Sequence, residues 1–187
     1  MTDGEKRPPR GVRVVPKSRA AVRELTSTLR EELDERDSYV DVARFIEHKL
    51  FLKFGIVLAP QPESVLGVDE GRTYPDKLRI ELRDDVYEAL IDEEPRARFT
   101  AMHEVGHVFL HLGVPLLRTT APTNHPPYEY SEWQADAFSA EFLMPVDLVK
   151  QMRHQTAAAA SQLFGVSVAA AIVRFNVLKS EGNIRRS

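Results

Sequence analysis

Residues 99–111, which read FTAMHEVGHVFLH, constrain this chain more than any other part of the sequence. His103 and His107 are four positions apart, so on a helix both imidazoles project from one face and can bind the same metal ion. Glu104, beside the first histidine, supplies a carboxylate that can take a proton from a water at the metal. A zinc ion held by two imidazoles still needs a third protein ligand and an open position for water. The stretch therefore predicts half of a hydrolytic metal centre.

Two histidines one turn apart also occur on ordinary helices, either at the surface or in the core with satisfied hydrogen bonds. Here the apolar residues around them recur at helical spacing, which predicts a largely buried helix whose polar side chains must be paired or metallated. This context favours the metal interpretation over the purely structural one. The apolar positions are Phe99, Met102, Val105, Val108, Phe109 and Leu112.

The third ligand must come from elsewhere in the chain. In the metzincins, glycine and then histidine follow the second histidine at intervals of three residues. Leu110 and Gly113 occupy those positions, which excludes that subclass. The next helical pattern, residues 130–145, places Glu132 and Asp136 one turn apart. Glu132 can complete the coordination, and Asp136 can accept a hydrogen bond from the far nitrogen of a histidine ligand. Alone, this pair would indicate a solvated acidic face, but the upstream motif reverses that preference.

Two blocks of sequence together resemble the ImmA/IrrE family of metallopeptidases. The first is residues 99–111 with its HEVGH core, and the second is residues 132–145, EWQADAFSAEFLMP. With their flanks they indicate homology over roughly residues 35–180, in keeping with one domain. The resemblance implies a zincin-like fold, similar to thermolysin-like gluzincins in its third ligand. The implied roles are ligands for His103, His107 and Glu132, general base for Glu104, and hydrogen-bonding support of the ligands for Asp136.

The function implied by the resemblance is more specific than the metal chemistry predicted by the spacing. The resemblance implies a zinc-dependent endopeptidase with one ion per chain. The implied protein substrate is a helix-turn-helix transcriptional repressor in a phage, mobile-element or stress response. The same ligands also accept manganese or iron. Two alternatives stay open: a catalytically inactive sensor or partner-binding module of the same fold, and a DNA-binding regulator.

Composition limits the class of protein. The 187 residues suit one domain, and a formal charge of -3 gives no general attraction to nucleic acid or acidic membranes. No apolar run approaches the roughly 20 residues that cross a bilayer, and the opening residues lack the apolar core of a secretory signal, so we expect a cytoplasmic protein. The absence of cysteine excludes disulfides, thiolate catalysis and cysteine-based zinc fingers.

The expected architecture is α+β, a single zincin-like domain over residues 19–180 with a small, mainly antiparallel sheet packed on helices. Residues 1–18 are basic and rich in proline, which is typical of a disordered, solubilising tail, although contact with nucleic acid or an acidic partner is an alternative. Within the domain we expect helical support over 19–55, the sheet over 56–83, metal-binding helices over 95–145 and a helix-turn-helix-like segment over 146–180.

Short apolar runs punctuated by proline and glycine predict the small sheet ahead of the metal-binding helix. The predicted strands are residues 56–58, 65–68 and 78–82. Residues 78–83 alternate apolar and charged side chains, and we expect them to form an exposed edge of the sheet. Such an edge can bind a peptide substrate as an added strand through main-chain hydrogen bonds.

Residues 113–129 carry four prolines and predict a loop at the mouth of the cleft. Side chains in or beside this loop can stabilise the oxyanion of a tetrahedral intermediate, and spacing selects none of them. His111 follows His107 by one turn, but one straight helix cannot easily aim three successive turns at a tetrahedral ion, so we expect His111 to be structural. The oxyanion candidates are His125, Tyr128 and Tyr130.

The C-terminal segment has the pattern of a helix-turn-helix: an alanine-rich helix, a Gly-Val-Ser turn at residues 165–167, and a second helix with one apolar face. A DNA-reading helix presents polar or basic side chains to the groove. Here the second helix opens with Val168 and reaches its first cation only at Arg174. We therefore expect packing against the core or contact with a protein, and not base recognition.

Overall fold

Helices surround a small sheet in the computed structural model, which describes residues 11–114 and 125–185. The predicted α+β class is confirmed. The strands are β1 (Val57–Gln61), β2 (Gly71–Tyr74) and β3 (Arg79–Arg83). The helices are α1 (Arg19–Glu32), α2 (Val42–Arg44), α3 (Phe51–Phe54), α4 (Glu63–Leu66), α5 (Asp84–Ile91), α6 (Pro95–Leu110), α7 (Ser131–Leu143), α8 (Val146–Gln151), α9 (Ala157–Phe164) and α10 (Val168–Ser180). A π-helical segment, Phe45–Leu50, joins α2 to α3, and 3-10 turns occupy Pro75–Lys77 and Pro127–Glu129.

Several helices begin where the sequence supplies a capping residue. The hydroxyl of Ser18 accepts a 3.1 Å hydrogen bond from the backbone N–H of Ala21 at the start of α1. Thr156 and Ser167 cap α9 and α10 in the same way. Pro95 occupies the first position of α6, where the missing N–H leaves no hydrogen bond unmade. These local signals place the starts of α1 and α6 where the sequence predicted them.

The strand order β1-β3-β2 makes β3 the central strand. It pairs parallel with β1 and antiparallel with β2, so the sheet is mixed and not mainly antiparallel. The prediction that residues 78–83 form an exposed edge is therefore wrong. Ile80 and Leu82 are fully buried because both neighbouring strands and the helices cover them. The edge that lies against α6 is β2.

Two further details of this region differ from the prediction. Strand β2 was not predicted, because its sequence, GRTY, has no apolar run to indicate a strand. Residues 65–68 were predicted to be a strand, but Glu63–Leu66 forms one helical turn that Gly67 ends with a positive φ of 64°. An acidic residue in the first turn and glycine after the last both favour a short helix over a strand.

Helices α6 and α7 pack tightly against each other at Gly106. A Cβ at this position would lie 3.1 Å from Cβ of Phe138 and 3.2 Å from Cα of Ala135. Only a residue without a side chain permits this approach. The histidine-bearing face of α6 therefore lies directly against the first half of α7. The surrounding core includes Val22, Phe45, Ile46, Leu50, Met102, Val105, Phe142, Phe164 and Leu178.

Residues 11–17, which we call the N-terminal strap, run beside the entry to α7. Arg13 forms an antiparallel bridge with Tyr130, and the side chains of Val12 and Val14 are buried. Residues 11–18 are thus ordered, in contrast to the predicted tail, because two alternate valines point inward while the backbone pairs with another segment. The earlier part of the predicted tail lies outside the described residues.

Helices α9 and α10 have the geometry of a helix-turn-helix. The chain bends by 113° between them, around a three-residue turn in which Gly165 is left-handed with φ of 63°. Within the described parts of the chain no single helix has the length and apolarity to cross a bilayer. Among the described helices, only α9 and α10 taken together have that length and apolarity, and the bend separates them.

The first cation of α10, Arg174, is only 1% exposed. Its guanidinium donates two 2.6 Å hydrogen bonds to the carboxylate of Glu141 on α7. Arg23 on α1 donates to the same carboxylate at 2.9 and 3.0 Å. This buried ion network joins α1, α7 and α10, so Arg174 packs the segment against the domain and is not displayed on its surface.

Candidate metal centre

Three predicted ligands, His103, His107 and Glu132, place one donor atom each within 4.8 Å of one another. The Nε2 atoms of the two histidines are 3.0 Å apart. The carboxylate of Glu132 faces both rings, with Oε2 3.3 Å from Nε2 of His103 and Oε1 3.4 Å from Nε2 of His107. Helix α6 supplies the histidines from successive turns, and the first turn of α7 supplies the carboxylate.

These donor atoms fit a tetrahedral metal site. An ion bonded at about 2.0–2.1 Å to nitrogen and oxygen ligands separates neighbouring ligand atoms by about 3.3 Å. The three observed separations, 3.0, 3.3 and 3.4 Å, are close to that value. Two imidazoles and one carboxylate also match the three protein ligands of catalytic zinc sites, which keep a fourth position open. The donor set suits a divalent ion and does not by itself select zinc over manganese or iron.

Asp136 fixes the orientation of the first histidine. Its Oδ1 lies 2.9 Å from Nδ1 of His103. Because a carboxylate only accepts, Nδ1 carries a proton, so once the ring is neutral it is Nε2 that presents its lone pair to the centre. Burial opposes a positive charge on His103, but the carboxylates of Asp136 and Glu132 outweigh this effect and raise the pKa of the metal-free histidine to about 10.

Glu104 is buried beside His103 and held by strand β2. The hydroxyl of Thr73 lies 2.6 Å from Oε2 of Glu104 and 3.0 Å from its backbone oxygen. Gly71 gives the carboxylate room, since a Cβ there would lie 2.8 Å from Cγ of Glu104. Burial raises the pKa of Glu104, while the nearby charge of His103 and the hydrogen bond from Thr73 oppose that increase. A buried carboxylate with a raised pKa is suited to exchanging protons.

The second histidine contacts a partner that the sequence reasoning assigned only a structural role. Nδ1 of His107 lies 2.9 Å from Nδ1 of His111, and Nε2 of His111 lies 3.2 Å from Oε1 of Gln134. His111 therefore lies behind His107, outside the cluster of donor atoms. Burial lowers the pKa of His107 to about 3 and that of His111 to about 4, so both rings are neutral near neutral pH in the metal-free protein.

Sequence reasoning missed Thr73 and Gln134. No motif marks Thr73, because it reaches Glu104 only after β2 has paired with β3. Gln134 offered a weak signal, since an amide lies midway between Glu132 and Asp136 on a helix that is otherwise rich in apolar residues. A buried amide must satisfy several hydrogen bonds, which favours a structural role for it.

The three oxyanion candidates all lie at the entry to α7. Nδ1 of His125 is 3.7 Å from Oε2 of Glu129, and its ring centroid is 6.4 Å from that of Tyr130. Tyr130 is buried, whereas Tyr128 is exposed. The oxyanion role of these residues stays a prediction. Of the predicted loop, residues 115–124 lie outside the described residues.

Comparison with known proteins adds one positive finding. Residues 86–176 match the model of a peptidase family described as the IrrE N-terminal-like domain. The match covers just under half of the chain and includes the three donor residues, Glu104 and Asp136. Strand β2, which carries Thr73, lies before the first matched residue and is therefore outside the match. No curated protein is significantly similar to the chain.

Proposed function

Residues 86–176 of this chain belong to the ImmA/IrrE family of metallopeptidases, and on this premise we propose that the protein is a zinc-dependent endopeptidase. The observation that carries the proposal is the convergence of His103, His107 and Glu132 beside the buried carboxylate of Glu104. In this proposal the three donors hold the ion, and Asp136 orients His103. When bound, the ion polarises the scissile carbonyl and makes a water molecule more acidic.

Glu104 is the proposed general base. It accepts a proton from the attacking water and later delivers that proton to the nitrogen of the leaving amine. Its burial supports this role, because a raised pKa brings a carboxylate closer to the pH at which it must both accept and release a proton. Thr73 holds one carboxylate oxygen and so restricts rotation of the side chain.

We place the peptide substrate along β2 and not along β3. The hydrogen bond from the N–H of Arg83 to the oxygen of Glu70, 3.0 Å long, fixes the alternation of the antiparallel pair. By that alternation the backbone groups of Gly71 and Thr73 point away from β3. An added strand pairs with such groups regardless of its side chains. The same two residues contact Glu104, so a peptide on this edge would pass the proposed base.

The proposed substrate is a helix-turn-helix repressor of a phage, mobile-element or stress response. Its support is the family resemblance. Main-chain pairing along β2 does not select side chains, so the proposed binding mode accommodates a protein substrate of any sequence.

The deciding experiment incubates the full chain with transcription factors encoded beside its gene and follows intact masses. We expect cleavage by the zinc-loaded protein, loss of cleavage with a chelator, and loss of cleavage in Glu104→Gln with zinc content unchanged. Glu88→Gln, a change of an exposed glutamate on α5, serves as the matched control and should cleave normally. Full activity of Glu104→Gln would contradict the assignment of the base, and His103→Ala should lose the metal itself.

An inactive sensor or partner-binding module of the same fold is the first alternative. It predicts a purified protein without stoichiometric metal, which elemental analysis would reveal. A DNA-binding regulator is the second alternative, and the burial of Arg174 weighs against it, because this cation is unavailable to phosphates or bases. Salt-dependent DNA binding by the full chain would favour this alternative.

A further inference from the structure

The side-chain amide of Gln134 has only one orientation that satisfies its neighbours. Its Nε2 donates to the backbone oxygens of Val15 and Tyr128, at 2.9 and 2.8 Å. Both partners only accept hydrogen bonds, so exchanging the nitrogen and oxygen of the amide would put an oxygen against two oxygens. Gln134 is fully buried, so contact with solvent cannot relieve such a repulsion. Its Oε1 therefore faces Nε2 of His111, 3.2 Å away.

This orientation decides which nitrogen of His111 carries the proton. An amide oxygen only accepts, so Nε2 of His111 is the donor. In the neutral ring the other nitrogen, Nδ1, then has a free lone pair. That lone pair faces Nδ1 of His107 at 2.9 Å. Nδ1 of His107 must therefore be the nitrogen that donates.

We propose that Gln134 and His111 form a hydrogen-bond relay that sets the tautomer of His107, so that its Nε2 lone pair faces the metal centre before any ion arrives. Gln134 and His111 are positioning residues, since they act through His107. The inference rests on the proposed metal centre. It adds to that proposal by explaining why a histidine outside the donor cluster is buried against a ligand.

The relay differs from the support of the other histidine ligand. His103 donates to a carboxylate, Asp136, which adds a negative charge. His107 donates to a neutral ring that is held by a neutral amide. The relay therefore orients the ligand without adding charge to a site that already contains Glu132 and Glu104. Tautomer control of a histidine ligand by the partner of its far nitrogen is general in metal sites.

The N-terminal strap completes the relay. One of the two carbonyls that fix Gln134 belongs to Val15, and the strap is held in place by its pairing with the entry to α7. The second carbonyl, of Tyr128, comes from that entry itself. A segment far from the HEVGH motif in sequence thus contributes to the orientation of its second histidine.

The direct test reads histidine tautomers by long-range proton–nitrogen NMR of the full chain, first metal-free and then with zinc. We expect the proton on Nδ1 of His107 and on Nε2 of His111 in the metal-free protein, with both assignments unchanged when zinc binds. A metal-free His107 with its proton on Nε2 would overturn the relay, and so would a change of the His107 tautomer on zinc binding.

Gln134→Leu supplies a second readout, the affinity for zinc in competition with a chelator. It removes the amide while keeping a side chain of similar size, and we expect the dissociation constant to rise by roughly 10- to 100-fold. Ser139→Ala, another buried polar change on α7, leaves the relay intact and should not alter zinc affinity. Unchanged affinity in a folded Gln134→Leu protein would contradict the relay. If that variant does not fold, the tautomers read from the spectrum of the wild-type chain still decide whether the relay exists.

These results separate the relay from the proposed function. The metal-free spectrum requires neither zinc nor a substrate, so a chain that binds no zinc would refute the proposed function while the relay could still be read. Zinc binding and cleavage together with a His107 proton on Nε2 would refute the relay alone.

Discussion

The hydroxyl of Thr73 donates a 2.6 Å hydrogen bond to the carboxylate of Glu104 and so joins the sheet to the helix that carries both histidines. The contact places the edge strand β2 beside the proposed general base. It also means that a four-residue strand without a recognisable motif takes part in setting the protonation of that base.

Thr73→Val removes the hydroxyl and keeps the shape of the side chain. Because the hydrogen bond stabilises the ionised form of Glu104, its loss raises the pKa of this carboxyl further, and the acidic limb of the pH–rate profile should move to higher pH. We expect activity near neutral pH to fall by about tenfold, in line with the loss of one hydrogen bond to a charged group. Cleavage of a quenched-fluorescent peptide pool measures the profile. Thr73→Ser keeps the hydroxyl and should stay close to wild type; equal losses in both variants would argue against the hydrogen bond as the cause.

Gly106→Ala tests the close approach of α6 and α7. The added methyl would meet Phe138 and Ala135 at 3.1 and 3.2 Å, so the helices must separate by a few tenths of an ångström. We expect the free energy of unfolding to fall by about 1–3 kcal/mol, as for other overpacked contacts. Zinc affinity should fall as well, because Glu132 on α7 moves away from the histidines on α6. Urea unfolding and chelator competition measure the two effects, and a destabilised protein with normal zinc affinity would show that the metal centre tolerates the shift.

Zinc binding should release a proton near neutral pH. The pKa of metal-free His103 is raised from 6.5 to about 10, so this ring is protonated at pH 7 and the ion must displace that proton. Affinity should therefore increase with pH, by about tenfold per unit between pH 6 and pH 8 for one proton. Calorimetry in buffers of different ionisation enthalpy counts the released protons.

Asp136→Asn provides the control for proton release. It removes the carboxylate that raises the pKa of His103, so fewer protons should be released at pH 8 and the dependence of affinity on pH should weaken. A wild-type protein that releases no proton at pH 7 would contradict the charged state of His103.

Glu141→Gln should destabilise the fold without touching the metal centre. Burial opposes the charge of Glu141, but hydrogen bonds from Arg174 and Arg23 outweigh it and lower the pKa of this carboxyl below its ordinary value of 4.5. The group therefore adds stability above about pH 4.5, and this contribution is lost as the pH falls. Neutralising it leaves Arg174 buried with a weaker partner, which should cost about 3–5 kcal/mol.

Urea unfolding as a function of pH measures this contribution. We expect the wild-type protein to lose stability below pH 4.5 more steeply than Glu141→Gln, and zinc affinity of the folded variant to stay unchanged. Parallel curves for the two proteins would show that Glu141 does not titrate as the ion network requires.

Patterns that repeat within a few residues could be read from the sequence. The apolar spacing around His103 and His107 predicted α6, the predicted helical regions began at residues 19 and 95, where α1 and α6 start, and the two motif blocks indicated the family. Each of these signals depends on side chains that are neighbours along one helix or at its end, so local physics is sufficient to predict them.

Contacts between distant segments required the folded chain. Residues 78–83 have the alternation of an edge strand, yet pairing on both sides makes β3 central and leaves β2 as the edge beside Glu104. The N-terminal strap has the composition of a tail, yet its buried valines and its hold on Gln134 make it part of the structure around His107. The sequence by itself determined which residues can bind a metal, because that property belongs to side-chain chemistry and helical spacing. Only the tertiary structure decided how those side chains are oriented, since the partners that fix their hydrogen bonds come from segments far away along the chain.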